Sequence, residues 1–189
     1  MTGPAKAPDI VMPTLEALGG YEDALARGWS PDPRRMGDAA YVEAELAALR
    51  KDRAGYLDRI LNHPAPAYNA SPTEPVNHAL LISDGEFAGK ADLRYVPTTG
   101  TVPDGVPGHV GYSVVPWKQG RGYATAALRA LMELARSKGL RELQILCNVE
   151  NLGSRVVIER VGGEVERVGP HPSDRAEQEK IYYRVRLGE

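Results

Sequence analysis

The sequence predicts one α/β (α+β) domain built on a mixed, mostly antiparallel sheet with helices on both faces. The chain has 189 residues, the length of a single domain, and 42% of them are hydrophobic, as in ordinary globular proteins. Thirteen of the 15 prolines lie at or before Pro116, and none falls between Trp117 and Gly169. That stretch can therefore hold uninterrupted helices and a central strand, whereas the flanking segments have the alternation of hairpins.

Residues 1–37 are rich in Gly and Pro and are expected to form an N-terminal extension of the main domain, which covers residues 38–189. Within the extension, a short strand is predicted at Ile10–Met12. A short helix is predicted around Tyr21 and Ala26.

Two helices are predicted next. Asp38 is suited to cap a helix that begins at Ala39, because a short polar side chain can accept a hydrogen bond from a free amide of the first turn. Apolar residues then recur at near-helical spacing, first over 42–49 and again over 56–61. A Pro-rich loop follows and runs to Pro75.

The pattern then changes to that of strands. His78–Ser83 and Phe87–Val96 flank an Asp84–Gly85 turn and predict a hairpin, and His109–Val115 predicts a third strand after a loop rich in Gly and Pro. The remaining elements follow from apolar periodicity, with Gly139 as the expected cap of the first helix. In chain order they are helix Arg121–Lys138, strand Glu142–Asn148, helix Asn151–Arg160 and a closing hairpin of Glu164–Val168 with Lys180–Leu187.

Composition excludes several classes of protein. The formal net charge of −2 argues against a nucleic-acid binder with a broadly basic surface. The single cysteine, Cys147, excludes a disulfide within the chain and a multi-cysteine metal cluster, and the four histidines lack metal-ligand spacing, so no metal is expected. No apolar run approaches the ~18 residues of a membrane span, and no secretory signal is evident. A cytoplasmic protein that does not bind membranes is expected.

The strongest local pattern is the segment 114–125, VVPWKQGRGYAT, in which a strand ends, a loop with two glycines follows and a long helix begins. The first turn of a helix has unpartnered amides and the positive end of the helix dipole, and glycine lets a backbone approach an anion closely. The spacing matches neither a Walker A loop nor GxGxxG. Two alternatives remain: glycines that serve only the turn geometry, and a phosphate loop for another nucleotide.

The neighbouring residues resemble those of the GNAT N-acetyltransferase superfamily. Gln119-x-x-Gly122-x-Ala124 is similar to its Q/R-x-x-G-x-G/A signature, and the segment 151–163 is similar to its second conserved helix, N-x-x-S-x-x-V-I-E-x-x-G-G. The segments 27–32 and 108–117 resemble those of a bacterial branch of predicted acetyltransferases. The resemblance covers residues 77–187 well and the N-terminal third loosely.

The resemblance implies that the chain binds acetyl-CoA as cosubstrate. The diphosphate would lie on the backbone amides of the signature loop, namely Gln119, Gly120, Arg121, Gly122, Tyr123, Ala124 and Thr125. The pantetheine arm would pair with the strand that ends at Val114 and Val115, where that strand splays from a central parallel neighbour, Glu142–Asn148. Asn151 would contact the cofactor too.

The implied reaction is acyl transfer from a thioester to an amine, which needs an oxyanion donor, a base and an acid. An amide near Val114 or Val115 is expected to be the donor. Many relatives carry a tyrosine that acts as the general acid seven residues after the helix asparagine, and this chain has Ile158 at that position. Ser154 is the expected substitute; cofactor contact or helix packing is its alternative role.

His109 is the candidate general base, because an imidazole titrates near neutral pH and related enzymes often carry Glu at that strand position. A structural histidine is the alternative. Cys147 is expected to be a buried small hydrophobe rather than an acyl carrier.

The sequence leaves the amine acceptor open, as well as the homodimer that is frequent in the family. A non-catalytic acyl-CoA-binding or regulatory domain of the same fold is the alternative to an enzyme.

Overall fold

The computed structural model describes residues 7–62, 75–102, 105–171 and 179–188. The described residues divide into two compact units, one within residues 1–63, 79–91 and 112–127, the other within residues 64–78, 92–111 and 128–189. Five helices and seven strands occur in the described ranges. In chain order they are β1 (Asp9–Val11), α1 (Leu18–Ala26), α2 (Ala39–Lys51), α3 (Arg53–Asn62), β2 (Val76–Ser83), β3 (Phe87–Tyr95), β4 (Val110–Val114), α4 (Tyr123–Ser137), β5 (Glu142–Asn148), α5 (Leu152–Glu159), β6 (Glu164–Pro170) and β7 (Glu179–Arg186).

The first unit has an aromatic core to which α1, α2 and α3 contribute. The rings of Tyr21, Trp29 and Phe87 meet edge to face with centroids 5.0–5.4 Å apart, the geometry that aromatic pairs prefer. Trp29 is fully buried, and its indole Nε1 donates to Ser113 Oγ at 2.9 Å. The same hydroxyl donates to the carbonyl of Ser30 at 2.9 Å. These bonds fix the chain after α1 against strand β4.

The second unit contains an antiparallel sheet with the strand order β5-β7-β6. Seven residue pairs join β5 to β7, from Glu142–Arg186 to Asn148–Lys180. Alternate residues of β5 are buried, because one face of the strand lies on the core. Helix α5 follows β5 and buries Ile158 completely.

The other sheet has the order β1-β2-β3-β4, so β4 is its edge strand. The amide of Arg94 donates to the carbonyl of His109, and the amide of Val115 donates to the carbonyl of Ala88. Both bonds obey one antiparallel register between β3 and β4. Strands β4 and β5 belong to separate sheets, with an isolated bridge between Gly108 and Ile145.

The predicted fold class, a mixed α/β architecture with mostly antiparallel strands, is confirmed, and the predicted helices and strands are present with shifts of one to two residues at most ends. Helix α4 begins at Tyr123 rather than Arg121, because Gly122 has a φ of +81°, which no helix accommodates. Two short 3₁₀ turns, Pro33–Arg35 and Pro116–Lys118, were not predicted. The predicted Pro-rich loop falls almost wholly outside the described residues.

Candidate functional site

The loop between β4 and α4 contains two glycines in the left-handed region of backbone conformation. Gly120 and Gly122 have φ values of +75° and +81°, which side chains with a Cβ adopt only with strain. The residues from Gln119 to Gly122 are exposed. Gln119 folds back and donates from Nε2 to the carbonyl of Val114 at 3.2 Å, which ties the start of the loop to the end of the strand.

Helix α4 presents its first amides next to this loop. The first helical bond of this end runs from the amide of Ala126 to the carbonyl of Gly122. The amides of Tyr123, Ala124 and Thr125 therefore have no intrahelical acceptor, and they carry the positive end of the helix dipole. Such an arrangement is suited to bind a phosphate or diphosphate.

Two arginines bring positive charge to the same loop. The guanidinium of Arg27 lies 3.4 Å from the centre of the Trp117 ring, a cation–π contact. Arg121 is exposed and donates to the carbonyl of Trp117 at 3.4 Å. Both charges favour an anionic ligand, and neither the cation–π contact nor the role of Arg27 was predicted from the sequence.

Sequence reasoning also missed a charged contact beneath the loop. Lys118 is buried, and its ammonium donates to Asp84 Oδ1 at 2.6 Å and to Glu86 Oε2 at 3.0 Å. The hydroxyl of Tyr123 donates to the other oxygen, Asp84 Oδ2, at 2.7 Å. These donors, Lys118 first, lower the pKa of Asp84 to about 2. Sequence reasoning placed Asp84 only in a hairpin turn, and no local pattern links that turn to a loop 34 residues away.

The backbone of β4 distinguishes the two valines that the resemblance singled out. The amide of Val115 is used within the sheet, where it donates to Ala88. Because successive residues of a strand direct their N–H groups to opposite edges, the amide of Val114 points away from β3. Among the residues that the structure describes, no strand of the same sheet lies along that edge of β4.

In the second unit, Asn151 caps helix α5. Its Oδ1 accepts from the amide of Ser154 at 3.0 Å, so both candidate residues lie in the first turn of one helix. Ser154 is half-buried, near the positive end of the helix dipole. Ile158 is fully buried in the core, which is a packing role.

His109 lies just before β4, and both of its ring nitrogens have backbone partners. Nδ1 accepts from the amide of Gln144 at 2.8 Å, and Nε2 lies 2.9 Å from the carbonyl of Gly100. Since a carbonyl only accepts, these contacts assign a neutral imidazole with its proton on Nε2. Burial lowers the pKa of His109. This geometry favours the structural alternative over a general base, whose accepting nitrogen would have to face the substrate.

Cys147 is buried in β5, and burial raises the pKa of its thiol. A buried, protonated thiol is a poor nucleophile, which supports its packing role. Among the described residues, no group of three or more His, Cys, Asp or Glu is arranged to hold a metal ion. None of the helices described here is long and apolar enough to cross a bilayer.

The chain matches a known protein family. A family model described as "Acetyltransferase (GNAT) domain" matches residues 21–164. A search of curated proteins found no match.

Several solved structures share the fold at low sequence identity. One is the apo ribosomal L7/L12 alpha-N-protein acetyltransferase RimL, 15% identical, with a TM-score of 0.57 over 98% of this chain and 97% of that chain. Another is Mycobacterium smegmatis RimJ in complex with CoA-disulfide, 18% identical, with a TM-score of 0.58 over 97% of this chain and 83% of that chain. A third is the microcin C7 self immunity acetyltransferase MccE with acetyl-CoA and AMP, 14% identical, with a TM-score of 0.55 over 98% and 97%.

Proposed function

Because the chain belongs to the GNAT acetyltransferase family, we propose that it transfers an acetyl group from acetyl-CoA to a primary amine, directly and within a ternary complex. The observation that carries the proposal is the exposed loop Gln119–Gly122, whose two left-handed glycines lead into the free amides of α4. A diphosphate is the part of acetyl-CoA that such amides bind.

The diphosphate contacts the amides of the signature loop, from Gln119 to Thr125. Arg27 and Arg121 supply positive charge beside it, which offsets the phosphate charge in a solvent-exposed position. The structures of RimJ with CoA-disulfide and of MccE with acetyl-CoA support this assignment by analogy of fold.

Val114 donates its outward amide to the thioester oxygen as negative charge develops there, and Val115 holds the strand in place through Ala88. The pantetheine arm pairs with the same edge of β4. This choice between the two valines rests on the backbone alternation of β4.

Ser154 is the proposed acid. The amine nitrogen bonds to the carbonyl carbon, the carbon–sulfur bond breaks, and the departing thiolate takes the hydroxyl proton of Ser154, which solvent restores; the amine's proton passes to solvent. Because Ser154 lies in the first turn of α5, the helix dipole can stabilise the transient negative charge on the Ser154 oxygen. Asn151 contacts the cofactor while it caps the helix.

The second candidate function is a non-catalytic acyl-CoA-binding domain. It is favoured by one observation, the buried Ile158 at the position where many relatives have an acidic tyrosine.

Two assays test the proposed function and separate it from its alternatives. Calorimetry with acetyl-CoA, CoA and ATP is expected to show binding of the first two and none of ATP; preference for ATP would indicate a different phosphate-loop protein. Release of free thiol from acetyl-CoA is then followed over a panel of aminoglycosides, polyamines, amino acids and peptides with free N-termini. Thiol release with at least one amine is expected, and binding without release on every amine would favour the non-catalytic domain.

A further inference from the structure

One carboxylate contacts both ends of the candidate phosphate loop. Asp84 lies in the turn between β2 and β3, and its two oxygens accept from Lys118 at 2.6 Å and from Tyr123 at 2.7 Å. Lys118 is the residue before the loop Gln119–Gly122, and Tyr123 is the residue after it. We call these three side chains the Asp84 clamp.

Lys118 and Tyr123 are buried and Asp84 is partly buried, whereas the loop between them is exposed. The side chain of Lys118 is 7% exposed and that of Asp84 is 17% exposed. Contacts of charged groups with little solvent access are screened weakly and hold their geometry better than surface ion pairs do. The loop contains two glycines, the residue with the greatest backbone freedom, and so needs an external restraint to keep its amides pointing one way.

We propose that the Asp84 clamp is a positioning network for cofactor binding, which keeps the amides of the loop in the orientation that binds the diphosphate before the ligand arrives. The inference rests on the proposed function. A loop that is competent for only a fraction of the time binds with an affinity reduced by that fraction, so loss of the clamp weakens binding without removing any ligand contact.

The Asp84 clamp also compensates charge next to the loop. Asp84 alone would repel a diphosphate, and Lys118 offsets that charge while it also pairs with the exposed carboxylate of Glu86. Removal of the ammonium alone leaves a poorly solvated carboxylate beside the ligand, which is costlier than removal of both charges. Lys118→Met is therefore expected to bind CoA more weakly than the double variant Lys118→Met with Asp84→Asn.

Tyr123→Phe is the mildest test, because it removes one hydroxyl and keeps the ring. Tyr56→Phe is the matched control: both tyrosines are 4% exposed, and Tyr56 also donates to a carboxylate, Glu45, at 2.5 Å. Isothermal calorimetry with CoA is expected to show Kd about 5- to 10-fold higher in Tyr123→Phe and unchanged in Tyr56→Phe. Denaturant unfolding of both variants shows whether their losses of stability are comparable.

The outcomes separate the two proposals. Failure of the wild-type protein to bind CoA would overturn the proposed function and this inference with it. Binding by the wild-type protein, with equal Kd values for Tyr123→Phe and Tyr56→Phe, would overturn the inference alone. A Lys118→Met variant that binds CoA as well as the double variant would show that Lys118 does not offset the charge of Asp84 at the loop.

Discussion

His109 and Asp84 show that the partners of a polar side chain decide its role. Both ring nitrogens of His109 form hydrogen bonds with backbone groups. Both carboxylate oxygens of Asp84 accept hydrogen bonds from side chains, one from Lys118 and the other from Tyr123. The histidine attracts attention in the sequence because it can titrate near pH 7. The aspartate does not, although it contacts Lys118 and Tyr123, the residues on either side of the proposed phosphate loop.

His109→Gln is expected to leave the acidic limb of the pH–rate profile unchanged and to lower the free energy of unfolding by about 1–3 kcal/mol, because two buried hydrogen bonds are weakened. The rate is measured with the most active amine of the panel, and stability by urea unfolding. Disappearance of the acidic limb at unchanged stability would instead establish His109 as the base.

Ser154→Ala is expected to lower kcat about 100-fold at saturating substrates and to leave the Kd of CoA unchanged, because a proton donor acts on the departing thiolate rather than on the bound ground state. Ser137→Ala, at the end of α4, is the control for loss of a helical serine hydroxyl. Unchanged turnover with a higher Kd would assign Ser154 to cofactor contact, and no change in either would assign it to packing.

At the scale of the element, two helices of this chain begin with a capping side chain, and the two caps differ in their expected link to the cofactor. Asp38 caps α2 by accepting from the amide of Tyr41 at 3.0 Å, as its position in the sequence predicts, and Asn151 caps α5 in the same way. The cap at α2 stabilises the start of its helix, whereas the cap at α5 belongs to the helix that the family resemblance links to the cofactor.

The two caps can be compared directly. Asp38→Ala and Asn151→Ala are each expected to cost about 1 kcal/mol of stability, and only Asn151→Ala is expected to raise the Kd of CoA. Asn151→Asp retains an oxygen that can cap the helix but lacks the amide donor, so we expect normal stability with weaker CoA binding. Calorimetry and thermal unfolding measure the two effects, and equal CoA affinity in all three variants would remove Asn151 from the cofactor site.

At the scale of the whole molecule, the buried charged and titratable groups make stability depend on pH. The pKa of Asp84 is lowered to about 2, so its ion pair with Lys118 stabilises the folded protein fully at pH values above the ordinary aspartate pKa near 4. His109 also has a lowered pKa, so folding favours its neutral form and loses that contribution as the pH falls from about 6.5 toward the lowered value.

We therefore expect the free energy of unfolding to fall in two phases on acidification. The first begins below about pH 6.5 and is smaller in His109→Gln, because His78 also has a lowered pKa through burial and contributes to it. The second lies between about pH 4 and pH 2, and Asp84→Asn is expected to reduce it by on the order of 2 kcal/mol. Urea unfolding at closely spaced pH values measures both phases. A first phase of unchanged size in His109→Gln would assign it to other groups.

The sequence by itself determined the order of elements and the position of the glycine loop that we propose to bind the diphosphate, because these depend on local signals. Apolar periodicity, caps such as Asp38, and the absence of proline after Pro116 act within a few residues of where they stand. Two motifs in the right order were enough to indicate the family.

Only the tertiary structure decided which side chains act together. The contacts of Asp84 with Lys118 and Tyr123, of Arg27 with Trp117, and of His109 with Gly100 and Gln144 join segments whose spacing carries no periodic signal. Sheet register likewise decided that the amide of Val115 points toward β3 and that the amide of Val114 points away from β3. Hydrogen bonds between distant segments form only when the packed core brings their donors and acceptors within about 3 Å, and no local pattern encodes that distance.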